Sequence, residues 1–133
     1  MIQSIAVKDY MSASLVTFAP DMDVMNAIDV LVKHRISGAP VVDERGNLVG
    51  LLSEKDCMKV AIQAGYYEQL GGQVKDYMTD NVVTVESEAS VLEVAKMFME
   101  KSPRRYPVVE DNRLVGQISR RDVLRSLLGM NTH

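Results

Sequence analysis

The sequence has no tryptophan, two phenylalanines, two histidines and a single cysteine. With only Cys57, the chain cannot form an internal disulfide, which is typical of proteins from reducing compartments. His34 and His133 do not combine with Cys57 in a metal-ligand spacing, so we expect no metal site. No apolar run approaches the ~20 residues of a membrane span, and charged residues follow the first methionine too early for a signal peptide. We therefore expect a cytoplasmic protein without a membrane segment.

Charge and motif content narrow the class of function further. A formal net charge of −3 and a pI near 5.3 argue against nucleic-acid binding, because that requires a basic surface to neutralise phosphates. With 133 residues, 47% of them apolar and 25% charged, the chain suffices for one globular domain or two very small units. The sequence contains no nucleophile elbow, phosphate-binding glycine loop or Ser-His-Asp pattern. We expect neither an enzyme nor a nucleic-acid-binding protein.

The chain is a tandem duplication. The segment VKDYM occurs at 7–11 and again at 74–78, which sets an offset of 67 residues. One deletion in a polar turn later changes this offset to 66. The matching segments are Val16-Thr17 with Val83-Thr84, Pro40-Val41-Val42 with Pro107-Val108-Val109, and Leu48-Val49-Gly50 with Leu114-Val115-Gly116. We predict one repeat at 7–62, a linker at 63–73 and a second repeat at 74–128.

Both repeats contain the same order of predicted elements. A short apolar run predicts a strand, and apolar residues at i, i+3, i+4, i+7 and i+8 then predict an amphipathic helix with Asp23 or Ser90 at its N-cap. Two β-rich runs around a polar turn predict a hairpin, and a second helix begins at Ser53 or Ser119. The first strands are predicted at Leu15, Val16 and Phe18 and at Val82, Val83 and Val85.

A repeat of about 60 residues buries little surface alone, so the two repeats should pack together. We predict an α/β fold of two strand-helix-strand-strand-helix repeats. They would pack with pseudo-twofold symmetry, with the sheets central and two clefts between them.

The motif Gly-x-x-Ser-x-x-Asp, found at 50–56 and at 116–122, has two interpretations. As structure, the serine and aspartate form a helix N-cap that satisfies backbone N–H groups and complements the helix dipole. As a binding site, the aspartate at the mouth of a cleft can accept hydrogen bonds from both hydroxyls of a ribose. The two roles are compatible. The glycine lets another backbone or a ligand approach the strand closely.

The order of Val-Thr, helix, Pro-Val-Val, polar turn, Leu-Val-Gly and Ser-x-x-Asp, present twice, resembles a tandem pair of CBS domains. The resemblance covers residues 7–62 and 74–128. It implies a regulatory module that binds adenine nucleotides (AMP, ADP or ATP) or S-adenosylmethionine in one or both clefts, without a required cofactor. It also implies a homodimer, and it does not imply catalysis. In this family the aspartate of the motif holds the ribose, which we therefore expect of Asp56 and Asp122.

The resemblance further implies that each binding site takes residues from both repeats. The predicted site A contains Ser53, Asp56, Val83, Thr84, Arg104, Arg105 and Pro107. The predicted site B contains Val16, Thr17, Ile36, Ser37, Gly38, Pro40, Ser119 and Asp122. Adenine would lie between the apolar residues of each site, which are also typical sheet-core residues.

The two predicted sites differ in charge. Between 101 and 125 the chain has seven basic residues against three acidic ones. Arg104 and Arg105 belong to this segment, and guanidinium groups bind phosphates bidentately. Ser37 and Gly38 occupy the matching positions of the first repeat. An exposed, solvated charged face is the alternative interpretation. We expect site A to be the stronger nucleotide site.

Two functions remain open at this level. The first is a sensor, in which a bound nucleotide shifts the geometry or stability of the module and an effector protein reads the change. The second is a structural dimerisation or interaction module whose clefts are vestigial. The presence of Ser-x-x-Asp in both repeats, together with the arginine pair, favours sensing.

Overall fold

The computed structural model describes residues 2–67, 71–101 and 103–130, and the fold is mixed α/β, as predicted. Its elements in chain order are α1 (Val24–His34), β1 (Gly38–Val42), β2 (Leu48–Ser53), α2 (Glu54–Tyr67), β3 (Val85–Glu86), α3 (Val91–Glu100), β4 (Arg105–Glu110), β5 (Arg113–Ser119) and α4 (Arg120–Met130). In the described residues, no helix has the length and apolar character needed to span a bilayer. His133 lies outside the described residues.

The chain divides into two compact units with separate cores. The first unit is Val16–Val82, and the second unit combines Met1–Leu15 with Val83–His133. The core of the first unit includes Phe18, Val24, Leu31, Val41, Leu52 and Val74. The core of the second unit includes Val7, Val91, Val94, Tyr106, Val108 and Ile118. Each VKDYM segment therefore packs in the unit that contains the hairpin of the other repeat.

The two VKDYM segments form equivalent short 3-10 turns, Val7–Asp9 and Val74–Asp76. Val7 and Val74 are fully buried. The Val7 N–H donates to the Ala89 carbonyl at 2.9 Å, and the Val74 N–H donates to the Met22 carbonyl at the same distance. Each segment is thus fixed to its unit by one buried valine and by backbone hydrogen bonds.

Each unit contains an antiparallel hairpin, β1–β2 in the first and β4–β5 in the second. Gly38 pairs with Ser53 in the first hairpin, and Arg105 pairs with Ser119 in the second. Because Ser53 and Ser119 are the last residues of their strands, the hairpin register places the start of one strand beside the start of the following helix.

The first predicted strand of each repeat is shorter than its apolar run. Phe18 forms a single parallel bridge with Val41, whereas Val85–Glu86 pairs with Val108–Val109 as β3. Pro20, two residues after Phe18, has no N–H to donate, which ends pairing there. Val83 is 45% exposed and precedes the paired residues. Apolar composition alone overestimates these strands, because a strand also requires a hydrogen-bonding neighbour.

The predicted N-caps of α1 and α3 are confirmed. The Asp23 carboxylate accepts the Met25 N–H at 2.8 Å, and the Ser90 hydroxyl accepts the Glu93 N–H at 3.1 Å. Helix α2 continues to Tyr67, within the segment predicted as a linker, and residues 68–70 of that segment lie outside the described residues.

Candidate functional site

At the start of α2, Ser53 and Asp56 form a reciprocal pair. The Asp56 N–H donates to Ser53 Oγ at 3.1 Å, and both the N–H and the hydroxyl of Ser53 donate to Asp56 Oδ2 at 2.9 Å. Both side chains are half-buried. The capping interpretation is therefore confirmed in the first repeat.

The start of α4 repeats the two hydrogen bonds that involve backbone N–H groups. The Ser119 N–H donates to Asp122 Oδ2 at 2.9 Å, and the Asp122 N–H donates to Ser119 Oγ at 3.2 Å. The side chain of Asp122 is 15% exposed. In both repeats, one carboxylate oxygen is therefore bound to the helix start, and its rotamer is fixed before any ligand arrives.

The second carboxylate oxygen, Oδ1, accepts a hydrogen bond from a different kind of donor in each repeat. Asp56 Oδ1 accepts a hydrogen bond of 3.3 Å from the Thr79 hydroxyl. Asp122 Oδ1 accepts a hydrogen bond of 2.6 Å from Arg125 Nη1 and forms an ion pair with it. A neutral donor therefore faces one aspartate and a guanidinium faces the other.

A surface cavity of about 930 Å³ lies in the second unit beside Ser119. Its lining residues are Arg104, Arg105, Ser119, Arg120, Arg121, Leu124, Arg125 and Leu128. Among the described residues, only Arg125 of these five arginines forms an ion pair. The cavity thus combines a high density of unneutralised guanidinium groups with two apolar side chains, which suits an anion attached to an apolar group.

A second cavity, of about 790 Å³, lies in the first unit beside Thr17. Its other lining residues come from the loop after Thr17, from the β1–β2 turn and from Lys75. In this turn, Asp43 accepts the N–H groups of Asn47 and Arg45, both at 2.9 Å, and these bonds lower the pKa of Asp43 below its usual range. The Asp43 carboxylate therefore stabilises the turn.

The structure distributes the predicted site residues over both units. The first unit contains Ser53 and Asp56 of site A together with the site B residues Val16, Thr17, Ile36, Ser37, Gly38 and Pro40. The second unit contains Ser119 and Asp122 of site B together with the site A residues Val83, Thr84, Arg104, Arg105 and Pro107. Each unit therefore contains the capping serine and aspartate (the cap pair) of one predicted site and the remaining residues of the other predicted site. The two composite groupings remain predictions.

Within each unit, the turn before the hairpin lies beside the cap pair. The Glu54 N–H donates to the Ser37 carbonyl at 2.8 Å, and Gly38 pairs with Ser53. In the second unit, Arg105 pairs with Ser119, and both line the larger cavity. Pro40 and Pro107 are buried strand residues, which agrees with their interpretation as sheet core.

Two contacts of the cap aspartates were not predicted from the sequence. The contact between Arg125 and Asp122 could have been found, because residues at i and i+3 are neighbours on a helix surface. The contact between Thr79 and Asp56 joins residues 23 positions apart and depends on the packing of residues 74–82 in the first unit. In the described part of the chain, no group of three or more His, Cys, Asp or Glu residues could hold a metal ion.

Comparison with known proteins agrees with this architecture. The sequence profile of the CBS domain matches residues 7–62 and 74–129. CBSX2 of Arabidopsis thaliana, solved in complex with AMP, has a TM-score of 0.81 and 30% identity, over 95% of this chain and 98% of that chain. The CBS domain pair of protein MJ0100, in complex with 5'-methylthioadenosine and S-adenosyl-L-methionine, has a TM-score of 0.74 and 31% identity, over 95% of this chain and 98% of that one.

Among curated relatives, inosine-5'-monophosphate dehydrogenase of Methanocaldococcus jannaschii is 35% identical over 112 residues, which cover 84% of this chain and 21% of the dehydrogenase. The chain spans between 21% and 42% of the length of three curated relatives that it matches. A duplicated α/β unit with a cap serine and aspartate in each copy defines a tandem-repeat module. The chain belongs to the CBS-domain family and contains two CBS domains.

Proposed function

We propose that this protein is a regulatory module that binds an adenosine-containing ligand, either an adenine nucleotide or an S-adenosyl compound, and transmits the binding to a partner protein. The observation that carries the proposal is the matching, pre-positioned Ser-Asp pair at the start of α2 and α4. Similar CBS-domain pairs are found in complex with AMP and with S-adenosyl-L-methionine, which supports this class of ligand.

The chemistry of the cap pair suits a ribose. A carboxylate accepts hydrogen bonds only, and the two ribose hydroxyls can both donate to it. Since Oδ2 of each aspartate is already fixed by a backbone N–H, the carboxylate loses little rotamer freedom when a ligand binds. A pre-organised acceptor therefore increases affinity without a contact to the variable part of the ligand.

The proposal assigns the phosphates of the ligand to the arginines of the larger cavity. Arg104 and Arg105 are exposed and form no ion pair within the described residues. Arg120 and Arg121 line the same cavity and have the same charge. A guanidinium group offers two parallel N–H donors to a phosphate, and such bonds are stronger than neutral ones.

The proposal includes a homodimer, an effector protein and the absence of catalysis. Exposed apolar side chains on α2 and on α4 support a homodimer, because association with a second copy would remove this apolar surface from water. These side chains are Met58, Ile62, Leu124, Leu127 and Leu128. A cytoplasmic location is also proposed, and the free thiol of Cys57 supports it.

Calorimetric titration with AMP, ADP, ATP and S-adenosylmethionine tests ligand binding directly. A ligand at 100 times its Kd also stabilises the folded state by about 2.7 kcal/mol, which thermal unfolding detects. Asp56→Ala and Asp122→Ala should each weaken binding, and the double variant should abolish it. Asp76→Ala is the matched control, because Asp76 also accepts a cap N–H, that of Gln73, at 2.8 Å. Absence of binding by all four ligands at millimolar concentration would refute the proposal.

Arg104→Ala combined with Arg105→Ala tests the phosphate assignment. We expect this double substitution to weaken the binding of ATP more than the binding of adenosine, since only ATP carries phosphates. Equal losses for both ligands would refute the assignment. Combining it with Asp56→Ala or Asp122→Ala in double-mutant cycles, measured for ATP and for adenosine, then indicates which aspartate shares a ligand with the arginines: a coupling energy that appears with ATP and not with adenosine comes from the phosphates.

The second candidate function is a structural interaction module, and the exposed apolar residues of α2 and α4 favour it. Light scattering after size exclusion measures the oligomeric state with and without AMP. A stable dimer that binds none of the four ligands would support this second function over sensing.

A further inference from the structure

The two cap aspartates match in sequence and in the serine N–H that each Oδ2 accepts, but they differ in how accessible Oδ1 is to a new donor. Asp56 Oδ1 faces the neutral Thr79 hydroxyl at 3.3 Å, which is a long hydrogen bond. Asp122 Oδ1 faces a charged donor, Arg125 Nη1, at 2.6 Å. A ribose hydroxyl can replace the first contact at little cost. At Asp122 it must displace a guanidinium from a carboxylate.

Arg125 is held in this position by a second contact. Its guanidinium lies 5.7 Å from the centroid of the Tyr10 ring, within the range of a cation–π interaction. Tyr10 comes from the first VKDYM segment, which packs in the second unit. Its hydroxyl occupies the space that a β-carbon of Gly129 would need, so the glycine in α4 admits the ring. The guanidinium of Arg125 therefore contacts both the Asp122 carboxylate and the Tyr10 ring.

The described residues of the first repeat contain no equivalent of the ion pair between Arg125 and Asp122. Lys59 occupies the position in α2 that matches Arg125, and it forms no ion pair with Asp56 among the described residues. Tyr77 matches Tyr10, and its hydroxyl lies 2.5 Å from Gln63 Oε1, where the second repeat has Gly129. The contact between arginine and aspartate is thus a property of one repeat only.

Arg125 also lines the arginine-rich cavity beside Ser119. It therefore borders both the carboxylate that would bind a ribose and the space in which a phosphate would be attracted by four further arginines. A guanidinium that leaves Asp122 can exchange the carboxylate for a phosphate without leaving the cavity wall, and both acceptors are anionic oxygens.

We propose that Arg125 is a specificity-determining residue that makes the Asp122 carboxylate selective for phosphorylated ligands. This inference rests on the proposed binding of adenosine-containing ligands. A nucleoside without phosphate must break the ion pair of Arg125 without replacing it. A nucleotide supplies a new anion for the guanidinium and so recovers the interaction. Asp56, which faces Thr79, distinguishes the two ligands less.

The test measures the Kd values of AMP and adenosine by calorimetry in an Asp56→Ala background, in which Asp122 is the remaining cap aspartate. Adding Arg125→Gln removes the charge. We expect adenosine to bind about two- to five-fold more tightly, the factor that corresponds to about 0.4–1 kcal/mol for a partly exposed ion pair. AMP binding should be unchanged or weaker, so the preference for AMP over adenosine falls.

Two variants serve as controls. Arg125→Lys keeps the charge and should keep the preference for AMP. Lys59→Gln in an Asp122→Ala background removes the matching charge of α2 and should leave the preference of the Asp56 site unchanged. Thermal unfolding of each variant shows whether the fold is retained.

The outcomes separate this inference from the proposed function. If the unmodified chain binds neither AMP nor adenosine, the proposed function fails and the inference fails with it. If both ligands bind but Arg125→Gln leaves their Kd ratio unchanged, or weakens both equally, only the inference is overturned. Loss of all binding in the Asp56→Ala background would also overturn it, because Asp122 would then hold no ligand.

Discussion

The Met78 side chain packs against Gly50, the glycine of the first Leu-Val-Gly motif. A β-carbon on Gly50 would lie 2.5 Å from Met78 Sδ and 3.0 Å from the Thr79 carbonyl oxygen. Met11 and Gly116 form the equivalent contact in the second unit, where the Ser12 carbonyl oxygen would lie 2.8 Å from the added atom. The close backbone approach predicted for these glycines is therefore confirmed, and the approaching chain follows VKDYM in each case.

We predict that Gly116→Ala destabilises the protein by about 1–3 kcal/mol, the usual cost of overpacking a closely packed site. The methionine side chain can move, but the backbone of Ser12 is held by a pair of hydrogen bonds with Gln117: its carbonyl accepts the Gln117 N–H at 2.9 Å, and its own N–H donates to the Gln117 carbonyl at 2.8 Å. Urea unfolding measures the change. Gly65→Ala is the control, since nothing lies within 4 Å of an added β-carbon in α2. It should stabilise the helix by about 0.5–1 kcal/mol. If Gly116→Ala left the free energy of unfolding unchanged, this explanation of the glycine in the motif would be wrong.

Capping and ligand binding by Ser53 can be separated by a matched pair of serines. Ser53 Oγ and Ser90 Oγ each accept the N–H of the residue three positions later, at 3.1 Å. Ser53→Ala and Ser90→Ala should therefore each cost about 1 kcal/mol of stability. Only Ser53→Ala should also weaken AMP binding in a calorimetric titration. Equal AMP affinity in the two variants would restrict Ser53 to a structural role.

The thiol of Cys57 should react slowly with a thiol reagent such as DTNB in the folded protein. Cys57 is 6% exposed, and burial raises the pKa of its thiol, with smaller contributions from the negative charges of Asp56 and Glu54. A raised pKa lowers the thiolate fraction, and the thiolate is the reactive form. The unfolded chain in urea at the same pH should react much faster. Equal rates would contradict the burial of this thiol.

The raised pKa of Cys57 should also make the free energy of unfolding depend on pH in the alkaline range. Above the ordinary thiol pKa of 9.0, the unfolded chain has lost its proton while the folded chain retains it. Because the folded state then binds more protons, the free energy of unfolding decreases as the pH rises through this window. Cys57→Ala removes this contribution, so the difference between the two proteins across pH 8 to 10 isolates it. A difference that does not change with pH would refute the prediction.

Asp43 should contribute stability that is lost in acid. The N–H groups of Asn47 and then of Arg45 lower the pKa of Asp43 below its ordinary value of 3.8. A lowered pKa stabilises the folded state above 3.8, and this stability is lost as the pH falls through the pKa of the folded state. The difference in unfolding free energy between the natural chain and Asp43→Ala should therefore shrink between pH 5 and pH 2. A constant difference would contradict it.

The order of elements and the helix starts could be predicted because they depend on local physics. Asp23, Ser53, Ser90 and Ser119 cap helices through contacts with residues two or three positions away, which a sequence pattern records directly. The contact of Arg125 with Asp122 was also available from its spacing. The contact of the Thr79 hydroxyl with Asp56 could not be predicted, because the two residues are 23 positions apart and no local sequence rule relates them.

The sequence by itself determined the duplication, the α/β fold class and the two Ser-Asp pairs, because periodicity, capping and turn chemistry act over a few residues. Only the tertiary structure decided that each VKDYM segment packs in the unit of the other repeat's hairpin, since this depends on which buried surface each valine and methionine fills. It also decided how the two aspartates differ. Through this exchange Thr79 reaches Asp56, and Tyr10 reaches Arg125, the ion-pair partner of Asp122, so two matching motifs have different chemical environments.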